Sequence, residues 1–363
     1  ISQVLPDAEC HTTHTYFNIS PESPDGRHVL YFASSTSEGQ DGEIRIMGRS
    51  SGKETVIAKN VTVEDAHRVA CQQWSNGGRH VVYHDFRKGK WIVLAIDIAS
   101  NREKVLAEDR QLGIVNASGK WIPVYGCHWN PGPHRDLELV NVETGEFRTP
   151  LTAEQVCAEY SEWIHKEFGE GKISIFFPVL SPDGNKVMIK IACGAGGNDF
   201  RSPKASHREG KIIYDLERSC FLRRYDTWGH PSWHPDSRRI LCVIPDKQTR
   251  ENRNYLLDPQ TGETVKVEPA SPADHPSFSP DGRFMVTDAN IGWRPYGKPG
   301  ENAIFLARTS EDEYVMVDKF MNTGGAKSWR RPDPHPVFSP DSRRIYYNVS
   351  AGSWTRLCVA ELP

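Results

Sequence analysis

The sequence predicts an all-β chain: a single seven-bladed β-propeller over residues 1–363, its ring closed by pairing of the N- and C-terminal segments. Three observations carry that prediction. One turn phrase recurs seven times, the apolar runs between turns last only four to seven residues, and the last repeat is one strand short.

Each recurrence is a Ser-Pro-Asp-Gly-like turn set between two apolar runs. They are "SPDGRHVLYF" at Asp25, "SNGGRHVVYH" at Gly77, "NASGKWIPVY" at Ser118, "SPDGNKVMIK" at Asp183, "HPDSRRILCV" at Asp236, "SPDGRFMVTD" at Asp281 and "SPDSRRIYYN" at Asp341. Proline presets the backbone, aspartate bonds its own backbone and glycine supplies positive φ, so the phrase is architecture. Spacings of roughly forty to sixty-five residues fit one four-stranded blade plus variable loops. A third strand follows most turns, as in "GKIIYDLE" (210–217) and "NAIFLART" (302–309), then a tight turn such as "DPQTGE" (258–263) and a fourth strand. After Asp341 there is room for "RIYYNVS" and "TRLCVAEL" only, and "ISQVL" (1–5) is expected to supply the missing strand. One helix is predicted, "TAEQVCAEYSEWIHKEF" (152–168), capped by Thr152.

Composition excludes whole classes of function. The net charge of −3 gives no basic footprint, so no nucleic-acid partner is expected, and no apolar run nears eighteen residues, so no membrane span is expected. A monomer is the expected state. The eight cysteines form no C-x-x-C pair, and Cys242 and Cys358 sit in strand-like runs that suit buried thiols. Sequons at Asn18, Asn60, Asn116 and Asn348, with a first residue other than Met, set the expectation of an extracellular, secreted chain whose signal has been removed; a cytoplasmic or periplasmic site is the alternative. G-x-S-x-G, H-E-x-x-H and Walker A motifs are absent from the sequence.

Chemistry is expected on the face opposite the repeated turns. Six residues before each turn reference stand Ile19, Cys71, Leu112, Phe177, His230, His275 and His335; seven residues after it stand Phe32, His84, Tyr125, Lys190, Val243, Asp288 and Asn348. An imidazole at the start of an inner strand can simply bond a neighbouring carbonyl. Three at one offset in consecutive blades point to a shared axis, and His230, His275 and His335 are therefore candidate ligands of a divalent metal ion. Zinc, manganese and calcium all remain open, with Asp333 and Asp288 as possible further ligands.

The early blades offer a second cluster. His67 precedes an inner strand, His84 and Tyr125 end second strands, and His128, His134 and Arg135 follow in the next loop. Loops of this kind are often merely polar. Histidine and tyrosine can nonetheless move protons, and arginine can pair with a carboxylate, which is what proton abstraction beside a carboxylate requires. Arg201 and Arg208 add cationic groups for an acidic substrate, and Trp74, Trp129, Trp228, Trp293 and Trp329 offer stacking faces or inter-blade wedges.

With these residues in view, the chain resembles the seven-bladed propeller polysaccharide lyases: the ulvan lyases, the rhamnose–glucuronate lyases and the oligogalacturonate lyases. "CHTTHTYF" (10–17), "GHP" (229–231), "DHPSFSPDG" (274–282) and "PDPHPVFSPD" (332–341) look like the oligogalacturonate lyase framework. In that family the last two phrases help to bind manganese, and the GHP-type histidine is a candidate base. Here the family's His-Pro-His element reads Asp333-Pro334-His335, and its glutamine ligand has no clear counterpart. The ulvan and rhamnose–glucuronate group instead uses early-blade His, Tyr and Arg, matched in order by His67, His84, Tyr125 and Arg135.

That more complete early cluster sets the main expectation, a lyase cleaving 4-linked glucuronate or iduronate next to rhamnose in an acidic oligo- or polysaccharide. His67 or His84 would be the base and Tyr125 the acid, their roles exchangeable, with Arg135 neutralising charge. Arg201, Arg208, His128 and His134 would bind substrate, and His230, His275 and His335 would hold a structural metal. The alternatives are an oligogalacturonate lyase with a divalent-metal site and a noncatalytic binding propeller.

Overall fold

In the computed structural model, residues 1–6, 8–127, 130–194, 206–246, 251–267, 273–294, 297–309 and 313–362 are described. They form seven four-stranded antiparallel sheets, the blades of a β-propeller. Two compact units divide the chain, residues 1–74 with 229–363, and residues 75–228.

The first unit carries blades one, five, six and seven. Blade one runs His11–Thr13, His28–Ser34, Asp41–Gly48 and Glu54–Thr62; blade five runs Ser232–Trp233, Ile240–Pro245, Asn252–Leu257 and Thr264–Lys266. Blade six runs Ser277–Phe278, Phe284–Asn290, Glu301–Arg308 and Tyr314–Met321. Blade seven has Val337–Phe338, Arg344–Ala351 and Trp354–Glu361, and its fourth strand is Ser2–Gln3, which pairs antiparallel with Cys358 and Val359. The predicted closure is thus present. The join is also packed and bonded: Val29, Tyr31 and Ala33 share a core with Val337, Tyr346 and Leu357. Fully buried Glu22 accepts from Arg344 Nε and Nη2, both at 2.9 Å, and from the Tyr346 hydroxyl at 2.7 Å. A bidentate guanidinium plus a phenol answers the buried carboxylate, as burial of a charge demands.

The second unit holds blades two to four, with the inner strand of blade two, Gln73–Ser75, at the boundary. Its second strands, His80–Arg87, Trp121–Gly126 and Lys186–Cys193, are buried along most of their length, and the inner strand Ile173–Leu180 is buried throughout. Burial on both faces explains why these strands read as continuous apolar runs. The predicted helix is two, Ala153–Glu159 and Ser161–Phe168, broken at Tyr160, where φ −119° and ψ 35° depart from helical values. Thr152 and Gln155 form a capping box, and Val156 and Ile164 pack into the core of blades three and four. The third strand of blade four starts three residues earlier than predicted, at His207.

The repeated turn behaves as its chemistry dictates. Asp25, Asp183, Asp281 and Asp341 each accept from the serine hydroxyl two residues before, at 2.5–2.6 Å, and from the amide two residues after, at 2.9–3.1 Å.

Candidate metal centre and active site

Equal offsets become equal heights because the inner strands of neighbouring blades are stitched together. Ser232 donates its hydroxyl to the Pro276 carbonyl at 2.8 Å, and Ser277, at the same offset in the next blade, donates to Pro336 at 3.2 Å. His230 and His275, two residues before the donor serines, and His335, one residue before the acceptor Pro336, therefore line up across three blades. Ring centroids are 4.6 Å apart for His230 and His275 and 4.5 Å for His275 and His335. His230 and His335 are held in the left-handed region, φ 42° and 49°, as are Cys71 and Phe177 at the same offset. Such φ values are uncommon for residues with a side chain and persist only where the surroundings enforce them.

Carboxylates orient the rings. Asp288 accepts from the His275 amide at 3.0 Å and faces its Nδ1 at 3.0 and 3.1 Å, and it accepts from the His335 amide at 3.3 Å. Its oxygens are thus committed to holding the histidines in place. Asp274 faces Nδ1 of His230 at 3.1 Å. A carboxylate on Nδ1 fixes the proton there and leaves Nε2 as the free lone pair, the usual arrangement behind a metal-bound histidine. Beneath the rings lie Tyr16, 4.6 Å from His335, and Phe17, 5.3 Å from His275.

His67 reaches the same place by another route. Its centroid is 4.7 Å from that of His335, and its Nδ1 faces Asp333 at 3.3 Å. His67, Asp333 and His335 form one group whose ligand atoms lie within 4.8 Å of one another; His230, Asp274 and His275 form another. Nε2 of His67 and both ring nitrogens of His335 are buried without a protein partner. Burial, then the Arg330 guanidinium and His275, hold His67 well below its ordinary pKa; burial and His275 do the same for His335. Burial also opposes charge on His275, but Asp288 and Asp274 outweigh it and raise that group to about 9. Neutral imidazoles with orphaned lone pairs, flanked by carboxylates, suit a divalent cation.

The early-blade candidates sit elsewhere. In the second unit, buried His84 accepts the Leu112 amide through Nδ1 at 3.2 Å and packs edge-on to Trp91. Tyr125 is buried against Phe176, and Arg135 donates to the carbonyls of Lys172 at 3.1 Å and Ile173 at 3.4 Å. His134 lies 3.4 Å from Arg110, which is paired with Glu138, and Arg208 stacks on Phe176 at 5.2 Å. His67, grouped with these residues by sequence, belongs with the late histidines of the first unit. His128 and Arg201 lie outside the described residues. The same-offset rule finds the three late histidines; it misses His67 and also His14, whose ring nitrogens are likewise buried without a partner.

No protein family and no curated protein matches the sequence. Solved structures do. The chain is similar to an oligogalacturonate lyase in complex with manganese, with TM-score 0.70, 17% identity and 99% of this chain and 92% of that one covered. An oligogalacturonate lyase from Vibrio parahaemolyticus gives TM-score 0.67 and 16% identity, covering 99% and 93%. The Cps50 (Swd1) propeller domain of Myceliophteria thermophila gives 0.55 and 11%, covering 97% and 99%. Together with the seven sheets, these similarities show that the chain has the seven-bladed β-propeller fold found in oligogalacturonate lyase.

Proposed function

We propose that this protein is a uronate lyase of the oligogalacturonate lyase type, acting on short acidic oligosaccharides by β-elimination. The observation that carries the reading is the histidine stack of the first unit, which joins buried, unpartnered ring nitrogens to a more open histidine beside them. His230 is that open member: its side chain is 38% exposed, whereas His275 and His335 are closed off from solvent.

In this reading His230, its Nδ1 anchored by Asp274, uses Nε2 to take the C5 proton of a 4-linked uronic acid. The electron pair forms the C4–C5 double bond as the C4–O4 bond breaks, and a proton is returned to the departing O4. The difficulty lies in the negative charge that builds beside an existing carboxylate. His275 and His335, with the Asp333 carboxylate where the resembled family carries a histidine, would hold a divalent cation that supplies positive charge next to that carboxylate. Asp288 keeps both imidazoles in position through the bonds described above. Tyr16 and Phe17 close the lower side of the rings and exclude water.

The test is a panel of oligogalacturonides, ulvan and glucuronate-containing gums incubated with folded, manganese-loaded protein and followed by the ultraviolet absorbance of the unsaturated product. Oligogalacturonides are expected to give the largest signal. Signal from ulvan alone would return the reading to the glucuronate and iduronate lyases, and no signal from any substrate would leave a binding propeller.

A further inference from the structure

We infer that His67, from the segment joining blades one and two, is itself a ligand of the divalent cation and completes the set begun by His275, His335 and Asp333. The inference rests on the metal reading above and adds a ligand that neither the repeated offset nor the resemblance supplies.

The geometry is specific. His67 is 1% exposed, and its Nε2 has no protein partner, while its Nδ1 is occupied by Asp333 Oδ2 and the Arg331 carbonyl, both at 3.3 Å. An imidazole so placed has one free lone pair, and its ring packs edge-on to His335 and Tyr16, with centroids 4.7 and 5.9 Å away. The ligand atoms of His67, Asp333 and His335 span at most 4.8 Å. Two ligands on opposite sides of one ion stand roughly 4 Å apart, a spacing this group approaches, and Asp333 must turn from the Nδ1 side of His67 to share an ion with its Nε2. A buried lone pair left unanswered costs stability, and water or a cation would answer it. Carboxylates lie close by to answer a cation: Asp333 Oδ2 is 3.3 Å from His67 Nδ1, and Asp288 Oδ1 is 3.0 Å from His275 Nδ1.

The segment is built to hold the ring still. The Asp65 carboxylate accepts the His67 amide at 2.8 Å, the Ala66 amide donates to Ser328 Oγ at 3.1 Å, and Glu64 O accepts from Trp329 Nε1 at 3.2 Å and from Gln40 Nε2 at 2.7 Å. Residues 65–74 are all buried, and Val69 and Cys71 take left-handed backbone, φ 42° and 51°. A general base needs a path to substrate; a ligand needs fixed, dry surroundings, which is what His67 has.

Metal-free protein would be titrated with Mn2+ by calorimetry, and the imidazole nitrogens bound to Mn2+ would be counted by electron–nuclear double resonance. Wild type is expected to bind one ion through three imidazoles. His67→Ala and His67→Gln should each weaken binding by about 100-fold or more and reduce the count to two. The inference is overturned if wild type binds no ion or shows only two imidazoles, a result that needs no variant, or if both folded variants bind within threefold of wild type. Three imidazoles without elimination on any uronate would remove the lyase reading and keep this one; elimination by a protein whose His67 variants bind metal normally would do the reverse.

Discussion

Buried histidines of the two units meet their surroundings in opposite ways. In the second, buried His84 receives the Leu112 amide and half-buried Arg135 spans two carbonyls, so both serve neighbouring backbone. In the first, His67 and His335 are as deeply buried as His84, yet three of their four ring nitrogens meet no protein donor or acceptor. A histidine in an unusual place is therefore a weak signal of function. A histidine whose lone pair nothing in the fold uses is a stronger one, because folding alone would not retain that cost.

That contrast can be broken at several points. The largest effect is expected from His335→Ala and His230→Ala compared side by side. His335→Ala should lose bound metal and turnover together, whereas His230→Ala should lower turnover roughly 10²–10⁴-fold at full metal content, measured by product absorbance and elemental analysis. Equal metal loss in both would merge the two roles.

Next comes a buried charge that is fully answered. Glu22→Ala leaves Arg344 with Asp341 alone, at 2.6 Å, and should cost about 1–3 kcal/mol in urea denaturation without altering metal stoichiometry in the folded protein. A small cost would mean that burial, paired or not, says little here.

The third effect is graded with pH. Burial disfavours the charged form of His275, but Asp288 and Asp274 prevail and lift the group to about 9. A raised pKa means that the charged ring stabilises metal-free protein fully below the unfolded value near 6.5, and that this contribution fades as pH climbs through 9. Metal must displace that proton, so Mn2+ affinity should rise about tenfold per pH unit from pH 7 towards 9, read by titration calorimetry at each pH. A flat profile would remove His275 from the ligand set.

The smallest effect is expected from His84→Asn, which keeps an acceptor for the Leu112 amide. Stability should change by less than about 1 kcal/mol and turnover by less than threefold. A hundredfold loss of turnover would move the proton chemistry back to the second unit.

Much of this was readable in the sequence for a definite reason. Asp25, Asp183, Asp281 and Asp341 mark turns because their side chains bond locally, so the phrase carries its own geometry. The late histidines were found because register converts a shared offset into a shared height, as the Ser232 and Ser277 bonds show. The approach of His67 to His335 has no marker in the sequence, because it depends on the path of a loop anchored by Ser328 and Trp329, hundreds of residues away. The left-handed backbone at His230 and His335 has no sequence marker either, since neither position is glycine.

The contact of His67 with the Arg331 carbonyl joins residues 264 positions apart. During synthesis this cluster has no precursor: until the last blade emerges, His67 has neither Asp333 nor His335 beside it. Capture of the proposed cation would accordingly be a late event, one that waits for the last blade to emerge.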